Sequence, residues 1–354
     1  MIIAKFHFCN RGGLNIYRHL VLVTFIIICL LTGCIEERTS APKDSTITDK
    51  SSNHVENTQS YTIKNATPIH FKVGEQEFQI VPVFNPILEY IQKVKENLDP
   101  NHKELYISTV VEPFRKEAFG ENGAHWLKDK YNFAAPINVD RLNESIQLLD
   151  ENYEHFSHLI KETIEKSSNL LHGGKTTIYL FPFNPDQYTI ISQMSGVTAF
   201  ATSNQIIVLQ IAPQKYKEEM LKYTVAHEYH HIVYFEDKKD KQRDLFDYIL
   251  SEGKADSFAT LINPEINVPW TDELSPDEEI TIWDWAKDKR YSYNNNDLAE
   301  MNAGNGVIPK WSDYKIGYQI MQDFLQKNPD IPIKEWTFMD SDEILKRSRF
   351  SPNS

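Results

Sequence analysis

The nine residues Val225-Ala226-His227-Glu228-Tyr229-His230-His231-Ile232-Val233 constrain this chain more than any other stretch. The run before them, Lys215 to Lys222, is rich in Lys, Glu, Met and Leu and follows Pro213, which predicts one continuous helix. On a helix His227 and His231 project from one face, one turn apart. Two neutral imidazoles so placed can reach a single Zn²⁺ from a rigid support. Glu228 follows the first histidine directly, where its carboxylate can lean over the ion's open position and accept a proton from water. Met220, Thr224, His227, His231 and Phe235 form a stripe that puts the histidines on a partly apolar, inward side. His230 could compete as a ligand, but Glu228 would then lose its relation to the pair.

A second helix is predicted over Arg243 to Ala259, with Leu245, Tyr248, Ile249, Glu252 and Asp256 along one face. A catalytic zinc takes three protein ligands and keeps one position open. Glu252 lies 21 residues after His231, room for a polar turn (Glu236 to Gln242) and an antiparallel return, and supplies the third ligand. Asp256, one turn on, can hydrogen-bond the far nitrogen of a ligating histidine and fix its tautomer. Gly253 and Ala255 are small enough for close helix packing.

HEYHH followed by SEGKAD resembles the gluzincin arrangement, in which HExxH on one helix is completed by a Glu on the next. AHEYHH, LSEGKADSFA and YKIGYQI together resemble the YjaZ-type family of predicted zinc-dependent proteases, over roughly residues 80 to 350. The resemblance implies peptidase activity and support of the first histidine by Asp256. The sequence departs from the pattern at Lys254, where an apolar residue is expected; this bears on helix packing more than on chemistry.

The first 33 residues read as a lipoprotein signal peptide: Lys5, Arg11 and Arg18 precede an apolar run, Leu20 to Leu31, too short for a comfortable membrane span. Leu31-Thr32-Gly33-Cys34 resembles a bacterial lipobox, with Cys34 as lipid acceptor; a plain signal anchor is the alternative. Acylation there would give stable membrane anchoring on the extracytoplasmic face. All three cysteines (Cys9, Cys29, Cys34) fall in this segment, which excludes thiol catalysis, a disulfide framework and Cys-ligated zinc in the domain. Residues 34–60, rich in Ser, Thr, Asp and Asn, read as lipidated Cys and disordered tether. The net charge of −13 becomes more negative once the basic leader is removed, which argues against nucleic acid as partner.

Residues 61–354 read as one domain, helical over about 61–172 and catalytic over about 173–354. Phe71 to Val83 predicts a strand or hairpin; Pro86 to Leu98, Leu105 to Phe119 and Asn138 to Leu171 predict helices, the last either continuous or broken. Thr176 to Phe183 predicts a strand, and Gly196–Ala201 with Ile206–Ile211 a hairpin. In gluzincin-like enzymes such a strand pairs with extended substrate, which implies Ala199 and Phe200 as the substrate-binding edge; a purely structural hairpin is the other reading. Asp277 to Lys287 predicts a helix, Asn294 to Lys310 a loop near the cleft, and Ser312 or Asp313 can cap the helix that follows. Tyr314 and Tyr318 share a face of that helix, and the resemblance implies a phenol as oxyanion donor, with Tyr318 preferred.

These readings give an α+β, mostly helical, gluzincin-like domain with a small β-sheet preceding the HExxH helix. They imply a membrane-anchored metallopeptidase with one Zn²⁺, His227, His231 and Glu252 as ligands, and Glu228 as base, acting on a peptide or protein. The alternative is a lipid-anchored binding or chaperone-like protein with a structural or catalytically silent zinc site.

Overall fold

The apolar alternation after Phe71 is realised as a hairpin, β1 (Ile69–Val73) against β2 (Gln76–Pro82), in register Ile69 with Ile80. The computed structural model describes residues 61–97, 99–238 and 242–351; the segment read as signal peptide, Cys34 and tether lies outside them. The first described residues are tied down by the Asp150 carboxylate, which accepts from Tyr61 Oη at 2.8 Å and from the amides of Lys64, Asn65 and Ala66 at 2.7–2.9 Å.

The predicted helices follow as α1 (Asn85–Glu96), then α2 (His102–Tyr106) and α3 (Glu112–Phe119) joined by the π-turn Ile107–Val111. The long region is broken at Asn152 into α4 (Val139–Glu151) and α5 (Tyr153–Leu170). Then come β3 (Thr176–Pro182), the short α6 (Tyr188–Gln193), and the hairpin of β4 (Val197–Thr202) and β5 (Ile206–Ile211). The sheet is five-stranded in the order β1-β2-β3-β5-β4. Its middle pairs, β2/β3 and β3/β5, are parallel, and the outer pairs are antiparallel hairpins. The sheet is therefore mixed, and β2 from the first half pairs directly with β3 from the second. β4 is an edge.

Helix α7 (Glu218–Lys238) packs against β4, against α5 and against α8 (Leu245–Ile262). The sequence stripe predicts one inward face, but Tyr223, Val225, Ala226, Tyr229, Ile232 and Val233 bury the other faces as well. A helix with apolar residues all round belongs in the interior, and this one forms the axis of the domain. Asp244 caps α8, its side chain accepting from the Asp247 amide at 2.9 Å.

The C-terminal part adds α9 (Pro276–Lys287), closed by a capping box between Ser275 and Glu278, and α10 (Asn295–Ala303). The expected loop over 294–310 is thus half helix, because Asn294 caps it through the Asn296 amide at 3.1 Å and Met301 buries. Next are α11 (Ser312–Lys327), α12 (Ile333–Phe338) and α13 (Ser341–Lys346). Neither Ser312 nor Asp313 caps α11: Trp311 is its N-cap, at φ 61°, and Asp313 turns inward. Among the described residues no helix is long and apolar enough to cross a membrane.

Two glycines set the spacing of α8 and α11. A Cβ on Gly253 would collide with the Gly317 carbonyl, and one on Gly317 with the Ile249 carbonyl, so the backbones touch. Gly253 thus serves the approach of the C-terminal helix. Lys254, where an apolar residue is expected, is buried; its ammonium donates to the carbonyls of Thr337 (3.1 Å) and Met339 (2.7 Å). The stem fills core space while the charge satisfies the C-terminal end of α12. In a helix interior Ala is ordinarily favoured over Gly by about 0.5–1 kcal/mol. Gly317→Ala is expected to reverse that sign and destabilise by about 1–3 kcal/mol through overpacking. Urea unfolding reads the change, and a raised midpoint would mean the helices do not touch here.

Candidate metal centre

Helix α7 carries His227 and His231 one turn apart, and α8 brings Glu252 against them. His227 Nε2 and His231 Nε2 are 3.1 Å apart, and Glu252 Oε2 stands 3.2 Å from the first and 3.4 Å from the second. Four ligands at zinc–nitrogen and zinc–oxygen lengths of about 2.0–2.1 Å in a tetrahedron are about 3.3–3.4 Å apart. The donor set therefore has the size of one face of a zinc tetrahedron. It also has the right electronic form. His227 Nδ1 lies 2.8 Å from Asp256 Oδ1, so the proton belongs on Nδ1 and the Nε2 lone pair faces the other donors. Three electron-rich atoms pointed together in a buried place fit a cation.

Asp256 Oδ1 is held in turn by Tyr223 Oη at 2.9 Å and Trp270 Nε1 at 3.2 Å. His231 Nδ1 has Ser251 Oγ at 3.4 Å. His230, weighed as a competing ligand, points elsewhere: its Nε2 meets Thr337 Oγ1 at 3.2 Å and its ring stacks on Trp336. His155 is exposed and bonded to Glu218, His158 is exposed, and His125 lies in a short 3₁₀ turn.

Electrostatics divide the carboxylates. Burial would raise Glu252, but His231 and His227 outweigh it and hold the group well below the ordinary carboxylate range. Glu228 goes the other way: burial raises it, against the pull of both histidines and the Ala201 amide that it accepts from. For His227, burial opposes the charged form, but Asp256 and Glu252 outweigh it and raise the pKa.

His227 and Glu228 line a cleft of about 310 Å³ whose wall also includes Thr198, Ala199, Trp270 and Tyr314. The edge strand β4 thus borders the site, with Ala199 on this cleft and Phe200 on the neighbouring cavity. The two tyrosines part ways. Tyr314 sits with its ring centroid 6.3 Å from that of His227, on the cleft wall. Tyr318, the residue preferred from sequence, donates to Thr260 Oγ1 at 3.5 Å and is not part of that wall. One turn carries Tyr318 about 6 Å farther along α11, which crosses α8 so that Tyr314 is the phenol on the cleft wall. Burial first, then the carboxylate charges around it, raise the Tyr314 phenol, which keeps it a donor.

Sequence reasoning missed Tyr223 and Trp270, and read Asp313 only as a helix cap. Tyr223 stands four residues before His227 and was open to the same face argument. Trp270 follows Pro269 in an irregular segment and carries no periodic signal.

The model of a family described as "Predicted Zn-dependent protease (DUF2268)" matches residues 156–346. That span runs from the first turn of α5 to the end of α13 and includes every donor above. No curated protein and no solved structure matches the chain.

Asp313 is a buried carboxyl with Oδ2 accepting from Asn302 Nδ2 at 3.4 Å and Oδ1 without a protein partner among the described residues. Burial, then the Glu252 charge, push it up to about 7. An Asp raised in the folded state must hold a proton that the unfolded chain has lost. Its cost to stability is absent below the unfolded pKa, grows from about pH 4, and levels off above about pH 7. Asp313→Asn is expected to flatten the fall of Tm with pH over that window and to raise Tm most at its upper end. Thermal scans of both proteins across the window check this; parallel curves would refute it.

Proposed function

The chain belongs to the family of predicted Zn-dependent proteases, and from that premise we propose that it is a gluzincin-like zinc metallopeptidase that hydrolyses peptide bonds in a cleft bordered by β4. The observation that carries the reading is the convergence of His227, His231 and Glu252 at tetrahedral spacing with the raised carboxyl of Glu228 beside them. Zn²⁺, when bound, would supply a Lewis acid against the scissile carbonyl and lower the pKa of water there. Glu228, desolvated and held by the Ala201 amide, takes the proton of the attacking water and returns it to the leaving amine. Tyr314 donates a hydrogen bond to the oxyanion that develops on the carbonyl. The free edge of β4 pairs with the extended backbone of the substrate, which leaves side-chain choice to the pockets on either side. A cleft lined by His227 and the adjacent Glu228 favours this reading over a purely structural zinc site, which is closed and has no use for Glu228.

We also propose that Cys34 carries lipid and holds the domain on the extracytoplasmic face of a membrane; the support is the Leu31-Thr32-Gly33-Cys34 sequence after an apolar run. Cys34→Ala is expected to move the protein from the membrane fraction to the soluble one; unchanged sedimentation with membranes would remove the lipid anchor from the account.

The enzyme reading is tested by metal content and peptide cleavage together. The wild-type protein is expected to hold one zinc per chain and to cleave a mixed peptide library. Glu228→Gln should keep the metal and lose about 10²–10⁴ in kcat. Glu252→Ala should lose the metal. Tyr314→Phe should keep it and lose about 10²–10³ in kcat, with Tyr318→Phe near wild type. Folded wild type that takes up no zinc, or a Glu228→Gln variant with full activity, would sink the proposal.

A further inference from the structure

Strand β4 borders a second cavity besides the cleft at Ala199, of about 510 Å³, whose wall includes Lys130, Phe200, Ala201, Phe235, Arg243 and Tyr248. Its position relative to the chemistry is fixed twice. The Ala201 amide reaches the Glu228 carboxylate, and Phe235 stacks on His231 with centroids 5.5 Å apart and planes 7° from parallel. A peptide paired along the outer edge of β4 would therefore reach this cavity within a residue or two of the donors, since one residue spans about 3.3 Å.

Among the described residues the wall holds two cations and no carboxylate. The Arg243 guanidinium lies over Phe235 and Tyr248, 4.7 and 4.2 Å from their centroids. The Lys130 ammonium lies over Phe200 and Trp126, at 4.3 and 5.7 Å. Neither forms an ion pair with a described carboxylate, whereas Lys72, Lys93 and Arg349 each do, in a chain of net charge −13. An aromatic face holds a cation in place without neutralising it, so the charge still faces the cavity. Glu228 acts on Lys130 through space but does not pair with it. The low-dielectric ring walls concentrate the positive field inward.

Resting on the peptidase reading above, we propose that this cavity is a subsite for a carboxylate of the substrate, with Arg243 as the bidentate partner and Lys130 as a second charge. The carboxylate is either an acidic side chain or the free α-carboxylate of a short peptide; the chemistry is shared. Arg is suited to planar, two-point recognition of such a group.

The zinc-loaded full chain is assayed on peptides with amidated C-termini that differ only in Glu or Gln at positions flanking the cleaved bond, and on Gln peptides with free C-termini. The wild-type protein is expected to favour a carboxylate at one fixed position by at least about tenfold in kcat/KM, the scale of one charge-assisted hydrogen bond. Arg243→Gln should abolish that preference, and Arg243→Glu should turn it toward Lys or Arg. Preference among amidated peptides assigns an acidic side chain; preference confined to free C-termini assigns the α-carboxylate. Calorimetric binding of the same Glu and Gln peptides to the Glu228→Gln chain reads the subsite without turnover. Selective binding with no cleavage by wild type would keep the subsite and remove the peptidase reading. Cleavage without carboxylate preference, equal binding of the Glu and Gln peptides, or preference that survives both Arg243→Gln and Lys130→Gln would overturn the subsite.

Discussion

Three lone-pair donors, His227 Nε2, His231 Nε2 and Glu252 Oε2, are held within 3.1–3.4 Å of one another in a buried setting, and the structure depends on the packing that keeps them there. Left alone, such a set can relieve its repulsion by binding a proton, and Asp256 and then Glu252 raise His227 despite its burial. A divalent cation relieves it more completely. Proton and metal therefore compete for the same atoms, and folding has already met the cost of assembling them. Asp256 biases the competition by fixing the His227 tautomer, and its own position is secured by Tyr223 of α7 and by Trp270 from the segment after α8.

That packing is a matter of backbone spacing. From Tyr223 to Tyr234 helix α7 is buried all round, so it cannot yield, and α8 reaches it from one side while α11 presses on α8 at Gly253 and Gly317. Because α8 and α11 touch without intervening side chains, the start of α11 is carried close to the donors. Tyr314 reaches the cleft wall by this route, and Asp313 reaches the field of Glu252. Lys254 belongs to the same arrangement: on the turn of α8 that carries Glu252, its ammonium fastens α12 to the core.

Much of this was legible in the sequence wherever local spacing decides the outcome. The hairpins, the helices and the pairing of His227, His231, Glu252 and Asp256 follow from helical and strand periods and from the ligand needs of zinc. What local spacing does not decide is orientation between elements. Tyr314 and Tyr318 share a helix face in sequence, and only the angle of α11 across α8 tells them apart. The stretch from Asn294 reads as loop by composition, yet an Asn cap and the burial of Met301 make it helical to Ala303. Lys254 looks out of place until the carbonyls of a helix more than eighty residues away come into view.

The edge strand ties substrate geometry to the base. In an antiparallel hairpin alternate residues turn their backbone groups away from the partner strand. Ala201 turns its N–H toward Glu228, so Ala199, two residues earlier, turns its N–H and carbonyl out along the same edge. The strand that would hold a peptide backbone therefore also fixes the carboxylate that serves it, and a shift of β4 would move both together. Burial dominates the Glu228 carboxyl even though two histidines and an amide favour its charge. A group in that balance exchanges protons more readily than one settled by a full ion pair, which is what a base that must also return its proton requires.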